Sequence, residues 1–502
     1  MVSGLIELKR SGADALAAQL TNQLRRLISS GRLGRNGMLP SSRSLAADLG
    51  VSRNTVSHAF EQLVAEGYLN VSRGRRAVVI ADSEERFAAT PSTAAARAAE
   101  PKLSPWASRL EQVDWPMSYQ AALRPLRPGL ADAREFPDEV WARCLRRSAL
   151  HAGKRHPLSV NRTRLREALK IYLETSRGVR AEMDQIIILP TAQAALTLIA
   201  ATVITPGDRV WVEDPGYPGA AAAFRASGAR VIGVELDEQG MQRVHGRTAP
   251  KLVFLTPSHQ HPTGRLMSLV RRREWLAAAQ PGKTWIVEDD YDGEFHYDSR
   301  PVPALQGLDA YGRVLYVGTF SKAMTADIRL GYVVAPSGLV GTMEIAQRHM
   351  GLIAASPVQE ALAEFISDGH LLAHIRRMRR LYHSRRDHLV GALQRHLGGV
   401  LRAETPPGGM QLVARLESGA VDQAIVERLI KAGVETRALS SLSLDQPRDQ
   451  GLLLGFAAWR ESEISAAVRT MASCLAATKV RSSVVRSQAS SRRDSRAGLP
   501  SA

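Results

Sequence analysis

The stretch VGTFSKAMTADIRLGYVVAP, residues 317–336, places charged and hydroxyl side chains directly after an apolar segment. The apolar residues predict a buried strand that ends at Val317. Four polar residues follow it, namely Thr319, Ser321, Lys322 and Arg329. A lysine in this setting can form a Schiff base with an aldehyde, and the hydroxyls and the guanidinium suit a phosphate monoester. A lone lysine is usually a solvated surface charge, so this interpretation depends on the neighbours.

A second polar segment, TWIVEDDYDGEF at 284–295, also follows an apolar run. The run predicts a buried strand with Asp289 and Tyr291 at its carboxyl end. An aspartate that faces a pyridine nitrogen keeps that nitrogen protonated, which makes the ring an electron sink. A phenol two residues further along points to the same side and can hydrogen-bond a 3-oxygen on that ring. The other interpretation is an ordinary acidic loop at a strand end.

Two shorter motifs also stand where an apolar run ends. LPTAQAALTLIA, at 189–200, predicts a turn from a strand into a helix, where free N–H groups bind phosphate well. The residues of this turn are Thr191, Ala192 and Gln193. EDPGYPG, at 213–219, offers Tyr217 as a flat surface for an aromatic ring. The signal of the 189–200 turn is weak when taken alone.

Apolar runs of strand length alternate with helical patterns between about residues 106 and 478. The predicted strands are Gln185–Leu189, Arg209–Glu213, Val231–Val234, Leu252–Thr256, Trp285–Asp289 and Val314–Val317. The helical patterns include Gln193–Ile204 and Val270–Ala279. This alternation predicts an α/β fold with a mostly parallel sheet covered on both faces. Because ligands of such sheets bind at the carboxyl ends of the strands, we expect the four motifs to lie close together.

The first 81 residues form a separate periodic block. Leucines at helical spacing predict a helix over 16–28, which Gly31 can end. The stretch LPSSRSLAADLGVSRNTVSHAFEQLVAEGYL, at 39–69, predicts two further helices joined by a turn at Gly50. The candidate caps are Ser41 or Ser42 for the first of these helices and Ser52 for the second. Two helices with a short glycine turn are typical of a helix-turn-helix, which places the start of its second helix in the major groove of DNA.

Polar side chains at the start of that second helix, predicted over 53–66, are the candidate DNA contacts. They are Ser52, Arg53, Asn54 and Thr55. Arg53 can pair with guanine through two hydrogen bonds, and Arg43 can bind a phosphate. The stretch LNVSRGRRAVVI, at 69–80, predicts a two-stranded wing. Its tip consists of Arg73, Gly74, Arg75 and Arg76. The alternative is a small helical domain with a solvated basic face.

Composition and charge favour a nucleic-acid partner. The 502 residues include 66 Lys and Arg against 49 Asp and Glu, which gives a formal net charge of +17, and such an excess favours polyanions. The 2 cysteines exclude a disulfide framework, and no apolar run can span a bilayer, so we expect a cytoplasmic protein. Residues 82–105 predict a linker between domains at 1–81 and 106–478, and 479–502 predict a basic disordered tail.

The N-terminal motifs LPSSRSLAADLGVSRNTV and EGYL resemble the winged-helix domain of the GntR family. From Phe136 onward the chain resembles the fold type I aminotransferases. With FPDEVW at 136–141 and PSHQHPTG at 257–264, the whole chain resembles the MocR family of bacterial transcription regulators. The resemblance implies a DNA-binding regulator that holds pyridoxal 5′-phosphate (PLP) as an aldimine, a Schiff base, on Lys322. It also implies a head-to-tail homodimer, double-stranded DNA with two half-sites, and a small amine, amino acid or cofactor vitamer as the effector.

The same resemblance implies the roles of individual residues. Lys322 would be the Schiff-base lysine, Asp289 would pair with the pyridine nitrogen, and Tyr291 would pair with the 3-oxygen. Tyr217 would stack on the cofactor ring. The implied phosphate-binding residues are Thr319, Ser321, Arg329 and the turn of Thr191, Ala192 and Gln193. No motif predicts a metal site.

Several positions depart from the family pattern. Ala326 stands where proline is common, and Thr191 stands where the phosphate turn usually begins with glycine. His261 replaces the asparagine of the NPTG motif in the enzymes. The arginine that binds the substrate carboxylate in aminotransferases has no match, since Gly451 stands at its place and Arg448 is only near it. Further departures lie around His156 and Asn161 and in the wing, which reads RGRRAVV.

Three functions are therefore open at this point. The first is a regulator that senses a small amine or amino acid through PLP at Lys322. The second is an aminotransferase with an accessory DNA-binding domain, which the incomplete substrate-binding set argues against. The third is a regulator that has lost the cofactor and uses its large domain only for dimerisation. We expect regulation rather than efficient enzymatic turnover.

Overall fold

The computed structural model describes residues 2–9, 15–72, 75–80, 102–111, 123–151, 163–244, 248–279, 282, 284–298, 302–417, 420–444, 447 and 449–476. The chain forms two compact units, Met1–Lys102 and Leu103–Ala502. Within the ranges described, a search for helices long and apolar enough to cross a membrane finds none. Arg73, Gly74, His156, Asn161, Arg448, most of the predicted linker and the predicted tail lie outside these ranges.

The first unit is a small helical domain with a two-stranded wing. Its elements are α1 (Leu16–Ser29), α2 (Ser42–Leu49), α3 (Arg53–Ala65), β1 (Leu69–Asn70) and β2 (Val78–Val79), and the two strands pair antiparallel. The predicted turn is confirmed, because Gly50 ends α2 in the left-handed conformation, with φ 62°. Leu20 and Leu24 of α1 are fully buried with Leu63 of α3. A single apolar cluster therefore holds the three helices together.

The helices and strands of the second unit alternate along most of its length. The helices are α4 (Pro105–Glu111), α5 (Asp138–His151), α6 (Thr163–Arg177), α7 (Ala192–Val203), α8 (Pro218–Ala226), α9 (Leu269–Ala279), α10 (Phe320–Ala323), α11 (Ser337–His349), α12 (Ser356–Ser367), α13 (His370–Leu397) and α14 (Asp422–Lys431), and a further helix covers 461–476. The strands are β3 (Ile186–Leu189), β4 (Arg209–Asp214), β5 (Arg230–Asp237), β6 (Gly240–Met241), β7 (Leu252–Leu255), β8 (Trp285–Asp289), β9 (Val314–Thr319) and β10 (Gly331–Val334).

These eight strands form one sheet in the order β3-β10-β9-β8-β7-β4-β5-β6. The central pairs β5–β4, β4–β7, β7–β8 and β8–β9 are parallel, whereas β10 is antiparallel to both of its neighbours. Both faces are covered, because Ile186 packs in a cluster with Leu169 of α6 while its neighbour Ile187 packs in one with Leu196 of α7. The α/β fold with a mostly parallel sheet is confirmed.

The sequence analysis missed a second sheet near the C-terminus. It has four antiparallel strands, β11 (Leu401–Ala403), β12 (Gln411–Leu416), β13 (Arg437–Ala438) and β14 (Gly451–Gly455), in the order β11-β12-β14-β13. Two of the strands have only two or three residues, which is too short for an alternating pattern to be recognised. The sheet matters for the site described below, because β12 begins at Gln411.

The apolar cluster of the first unit gives a prediction about stability. Replacing Leu24 with Ala should destabilise this unit by about 2–5 kcal/mol, since it removes a fully buried side chain and leaves a cavity. Hydrogen exchange of peptides from residues 16–65, measured in increasing urea, would report the loss. Leu5→Ala is the matched control, because Leu5 is 47% exposed. Equal effects of the two substitutions would contradict the packing described here.

Candidate functional site

The parallel strands β4, β7, β8 and β9 end at one edge of the large sheet. Asp289 is the last residue of β8 and pairs in register with Val317 of β9, two residues before Thr319. The loops that follow β4 and β7 carry Tyr217 and His261, and the loop after β8 carries Tyr291. The structure therefore brings the four predicted motifs to the same edge, as parallel strands require.

Two of the motifs meet around a glycine that the sequence analysis did not single out. Gly331, the first residue of β10, pairs with Leu189 of β3 on one side and with Thr319 of β9 on the other. A Cβ at this position would lie 3.0 Å from the backbone nitrogen of Ala192. Only glycine allows so close an approach without a shift. In the sequence, Gly331 is marked only by its position at the start of an apolar run, in LGYVV, two residues after Arg329.

The turn after β3 and the segment after β9 both present helix N-termini at this point. Thr191 caps α7, and its hydroxyl oxygen accepts a hydrogen bond from the Ala194 N–H at 3.0 Å. Thr319 caps α10, accepts from the Ser321 N–H at 3.2 Å and donates to the Ser321 Oγ at 3.2 Å. The first N–H groups of a helix have no partner within it. Two such ends on either side of Gly331 can bind an anion such as a phosphate group.

Aromatic rings line the site next to the N-termini of α7 and α10. The Tyr217 hydroxyl lies 3.5 Å from Gln193 Oε1, and Gln193 Nε2 donates to the Gly219 carbonyl at 2.9 Å. The His261 ring packs edge-on against Tyr217 at 5.6 Å and against Tyr291 at 6.0 Å between centroids. Tyr217, Gln193 and Tyr291 are thus joined through His261, a position that the sequence analysis noted only as a departure from the family.

Lys322 reaches the site from α10, and its partner comes from a distant part of the chain. Its Nζ donates to the Gly129 carbonyl at 2.5 Å. Gly129 has a φ of +75°, which favours glycine, and a Cβ there would lie 3.4 Å from Lys322 Nζ. On the other side, Gln411 Nε2 lies 3.3 Å from His261 Nδ1. No local pattern points to Gly129 or Gln411, because both contacts join residues far apart in the chain.

Burial controls the charges of the site. It lowers the pKa of Lys322, which the carboxylates of Asp292 and Asp289 oppose. Burial also lowers the pKa of His261 to about 3, helped by Arg437 and Lys322, so its imidazole is neutral at pH 7. The pKa of the Tyr291 phenol is raised well above its ordinary value by burial and by the nearby carboxylates, so the phenol keeps its proton.

Asp289 is the most perturbed carboxyl of the site. It is 4% exposed, and burial together with Asp290, Asp292 and Glu213 raises its pKa to about 8. Within the described residues its Oδ1 has no hydrogen-bond partner. A buried oxygen without a donor is costly, and a cationic ring N–H placed against it would satisfy the oxygen and stabilise its charge. The donor set therefore fits a protonated pyridine ring.

Arg329 and Ala326 are more exposed than the other predicted site residues of this edge. Both are exposed, and Arg329 adopts the left-handed conformation with φ 50° directly after a short 3₁₀ turn. Gly451 opens β14, where its N–H donates to Asp422 and an added Cβ would lie 2.9 Å from the Ala414 carbonyl. The backbone at this position therefore leaves no space for an arginine side chain without a shift.

The N-terminus of α3 forms the second candidate site, in the first unit. Ser52 caps this helix by accepting from the Thr55 N–H at 3.1 Å, and the two hydroxyls are 2.8 Å apart. Arg53, Asn54 and Arg43 are exposed. Ser52 and Thr55 thus hydrogen-bond each other. The two arginines and the asparagine are exposed to solvent, so they can contact bases or phosphates of DNA. The wing-tip residues Arg73 and Gly74 lie outside the described residues.

Comparison with protein families divides the chain in the same way. Residues 16–79 match the model described as bacterial regulatory proteins, gntR family, and residues 130–470 match aminotransferase class I and II. The chain is 35% identical to the probable rhizopine catabolism regulatory protein MocR of Rhizobium meliloti, over 90% of this chain and 92% of that protein. It is 32% identical to the pyridoxine biosynthesis transcriptional regulator PdxR of Corynebacterium glutamicum, over 90% and 96%.

Among solved structures the second unit is similar to an aminotransferase. The kynurenine aminotransferase of Pyrococcus horikoshii, solved in complex with PMP, superposes with a TM-score of 0.66 at 28% identity. The alignment covers 78% of this chain and 98% of that enzyme. The second unit therefore has the fold of this enzyme class over nearly the whole length of the enzyme.

The raised pKa of Asp289 predicts a pH-dependent stability in protein freed of small ligands. An unfolded aspartate has a pKa of about 3.9, so between about pH 4 and 8 the folded state holds this proton more tightly than the unfolded state does. The contribution of Asp289 to stability then falls as the pH rises through that window. Asp289→Asn should raise the melting temperature by roughly a few degrees at pH 8 and by less at pH 5. A difference independent of pH would show that another group is responsible.

Proposed function

The chain belongs to the MocR family of GntR-type regulators, in which a DNA-binding domain precedes an aminotransferase domain, and we propose that it is a transcription regulator that binds pyridoxal 5′-phosphate and responds to a small amine or amino acid. The observation that carries the cofactor part is the buried Asp289 oxygen, which has no hydrogen-bond donor among the described residues and lies at the same sheet edge as Lys322, whose pKa burial lowers. The solved relative in complex with PMP supports the same cofactor class.

The residues of the site divide the work of holding this cofactor. When bound, pyridoxal 5′-phosphate supplies an aldehyde that condenses reversibly with amines. Lys322 would provide the amine, Asp289 would accept the ring N–H, and Tyr291 would donate to the 3-oxygen with the proton that its raised pKa retains. The turn of Thr191, Ala192 and Gln193 would hold the phosphate together with Thr319, Ser321 and Arg329, and Tyr217 would cover the ring.

Sensing follows from the chemical similarity between the effector and Lys322. An effector amine competes with the Lys322 amine for the cofactor, so the state of Lys322 depends on the effector concentration. Such a ligand changes DNA affinity only if it binds two arrangements of the protein unequally. A head-to-tail homodimer in the bacterial cytoplasm would carry two copies of α3 to two half-sites of double-stranded DNA.

Aminotransferase activity is the second candidate, supported by the match to aminotransferase class I and II and by the presence of Lys322, Asp289 and Tyr291. Gly451 stands where aminotransferases carry the arginine that binds the substrate carboxylate. A Cβ at this position would lie 2.9 Å from the Ala414 carbonyl oxygen, so an arginine has no room there without a shift. This argues against aminotransferase activity. Turnover with amino donors and keto acids separates the two functions. Sustained transamination would favour the enzyme, whereas a single stoichiometric exchange would favour the sensor.

The cofactor proposal predicts that the purified protein absorbs visible light and that borohydride removes this band and fixes the cofactor on Lys322. Lys322→Ala should abolish the band and leave the fold intact, because the contact it removes among the described residues is one hydrogen bond, to the Gly129 carbonyl. Mass mapping of the reduced protein locates the adduct. Lys431→Ala, at the exposed end of α14, is the control and should keep the band.

A protein that stays colourless with added pyridoxal 5′-phosphate would reject the cofactor proposal and leave a DNA-binding protein whose second unit is a scaffold. A band that persists in Lys322→Ala would reject only the assignment of the lysine. The two outcomes are distinguished by whether the wild-type protein is coloured.

The DNA-binding proposal predicts that Arg53→Ala weakens binding to the operator by about 1–3 kcal/mol, as expected for an arginine that reads a base. Arg25→Ala is the matched control, since Arg25 lies in the same unit but is paired with Glu66 at 2.7 Å. Fluorescence anisotropy with labelled operator DNA measures both variants at one salt concentration. An unchanged affinity for Arg53→Ala would remove Arg53 from the set of residues that read DNA.

A further inference from the structure

A buried histidine–aspartate pair next to the candidate site has no part in the proposed function. His259 Nδ1 and Asp292 Oδ1 are 2.8 Å apart, and both side chains are 1% exposed. Asp292 is in the loop after β8, three residues beyond Asp289, and His259 is in the loop after β7, two residues before His261. The pair therefore lies between the two loops that carry the ring-binding residues.

Each partner of this pair keeps one buried atom without a hydrogen bond. Within the described residues, Oδ2 of Asp292 and Nε2 of His259 have no partner. The backbone before β12 closes around them, since a Cβ on Gly408 would lie 2.2 Å from His259 Nε2 and one on Gly409 would lie 3.1 Å from Asp292 Oδ2. Two successive glycines thus leave space for the pair and hold it in place.

The far side of His259 is fixed by other buried groups. Its ring lies 4.7 Å from the ring of His296, whose Nε2 is 3.3 Å from a guanidinium nitrogen of Arg177. Arg177 in turn forms a buried ion pair with Asp290 at 2.6 Å. The imidazole of His259 is therefore held on both sides, and it can hold Asp292 in turn.

Asp292 acts on Lys322 through its charge. Of the two carboxylates that oppose the effect of burial on the pKa of Lys322, Asp292 contributes more than Asp289. Among the described residues, the groups whose charges interact with Lys322 include Asp289, Asp292, Arg437 and His261. Those that interact with Asp292 include His259, Asp289, Tyr291, Tyr297 and Lys322. Within this part of the chain, Asp292 is thus the carboxylate whose charge most favours a proton on the Lys322 nitrogen.

We propose that His259 and Asp292 form a positioning pair for Lys322, in which His259 holds the Asp292 carboxylate through Oδ1 and the negative charge of that carboxylate holds a proton on the Lys322 nitrogen. This inference rests on the proposed function, because Lys322 is the cofactor lysine there. It assigns the pair a task that Asp289 cannot perform, since a ring N–H engages Asp289. The pair then determines the pH range in which an effector amine can replace Lys322.

The test is a pH titration of the visible band in the full-chain protein loaded with pyridoxal 5′-phosphate. The midpoint of the spectral change reports the loss of the proton from the Lys322 nitrogen. Removing an opposite charge that acts on a titrating nitrogen shifts such a midpoint by about 1–3 pH units when the charge lies within about 4–6 Å. Asp292→Asn should therefore lower the midpoint by at least one unit, which is a tenfold change in proton affinity. Asp292→Glu, which keeps the charge, should shift it much less.

The histidine is tested by two further variants. His259→Phe keeps a ring but removes the donor, so it should lower the midpoint in the same direction and by less. His259→Gln restores an N–H donor and should return the midpoint towards the wild-type value. A purely structural role of the ring would not distinguish Phe from Gln in this way. Glu294→Gln is the control, because Glu294 belongs to the same buried loop but binds the Tyr172 hydroxyl, and its midpoint should match the wild type.

An unchanged midpoint in a folded, coloured Asp292→Asn protein would overturn the proposal. Should that variant not fold, equal midpoints for His259→Phe, His259→Gln and the wild type would overturn it as well. A wild-type protein that forms no band would overturn the proposed function, and this inference with it. A wild-type band together with an unmoved midpoint rejects the positioning pair alone.

Discussion

A single buried ion pair holds the loop on which the candidate site depends. Arg177, the last residue of α6, contacts both carboxylate oxygens of Asp290, at 2.6 and 3.1 Å, and the side chains of both residues are nearly inaccessible. Tyr316 of β9 donates to the same carboxylate at 2.6 Å. The guanidinium keeps the pKa of Asp290 below its ordinary value despite burial. Breaking such a pair by removing one partner costs about 3–5 kcal/mol, so the loop after β8 is strongly fixed.

In this fixed loop, the pKa values of the neighbouring carboxyls of Asp289 and Asp290 are shifted in opposite directions. Asp290 is charged because Arg177 faces it, whereas Asp289 forms no ion pair with another described residue and its pKa is raised to about 8. Alternate residues of an extended segment point in opposite directions, so adjacent carboxyls can meet different surroundings. One sequence, EDDYD, thus provides both a structural anchor and a group ready to accept a ligand.

Six of the eight strands of the large sheet were predictable because each is an apolar run bounded by turn residues, and Trp285–Asp289 has the predicted bounds. The short strands β6 and β10 were not predicted. The helix-turn-helix was predictable from its caps, since Ser41, Ser52 and Gly50 each have a local role. The motifs also indicated which loops would carry polar groups, because that follows from strand direction alone. Their roles towards a cofactor came from the family resemblance.

The missed features all depend on contacts between distant parts of the chain. Gly129 binds Lys322 across 193 residues, and Gln411 reaches His261 across 150. The Arg177–Asp290 pair spans 113 residues. Nothing local distinguishes these residues from others of their type, and the two-residue strand β13 has no period to read. The hydrogen-bond partners of the site residues therefore became visible only in the structure, whereas the local sequence pattern already indicated which loops carry those residues.

The Asp289 oxygen that has no partner among the described residues would also couple the supply of a bound ligand to the stability of the chain. A buried carboxyl without a donor lowers the stability of the ligand-free chain, and a ligand that binds only the folded state restores stability in proportion to the logarithm of its concentration. Small losses of stability change the cellular amount of a protein, since proteases remove unfolded chains. A cell short of the ligand would therefore hold less of this regulator as well as a less occupied one. Its abundance would itself record the supply of the molecule that fills the site.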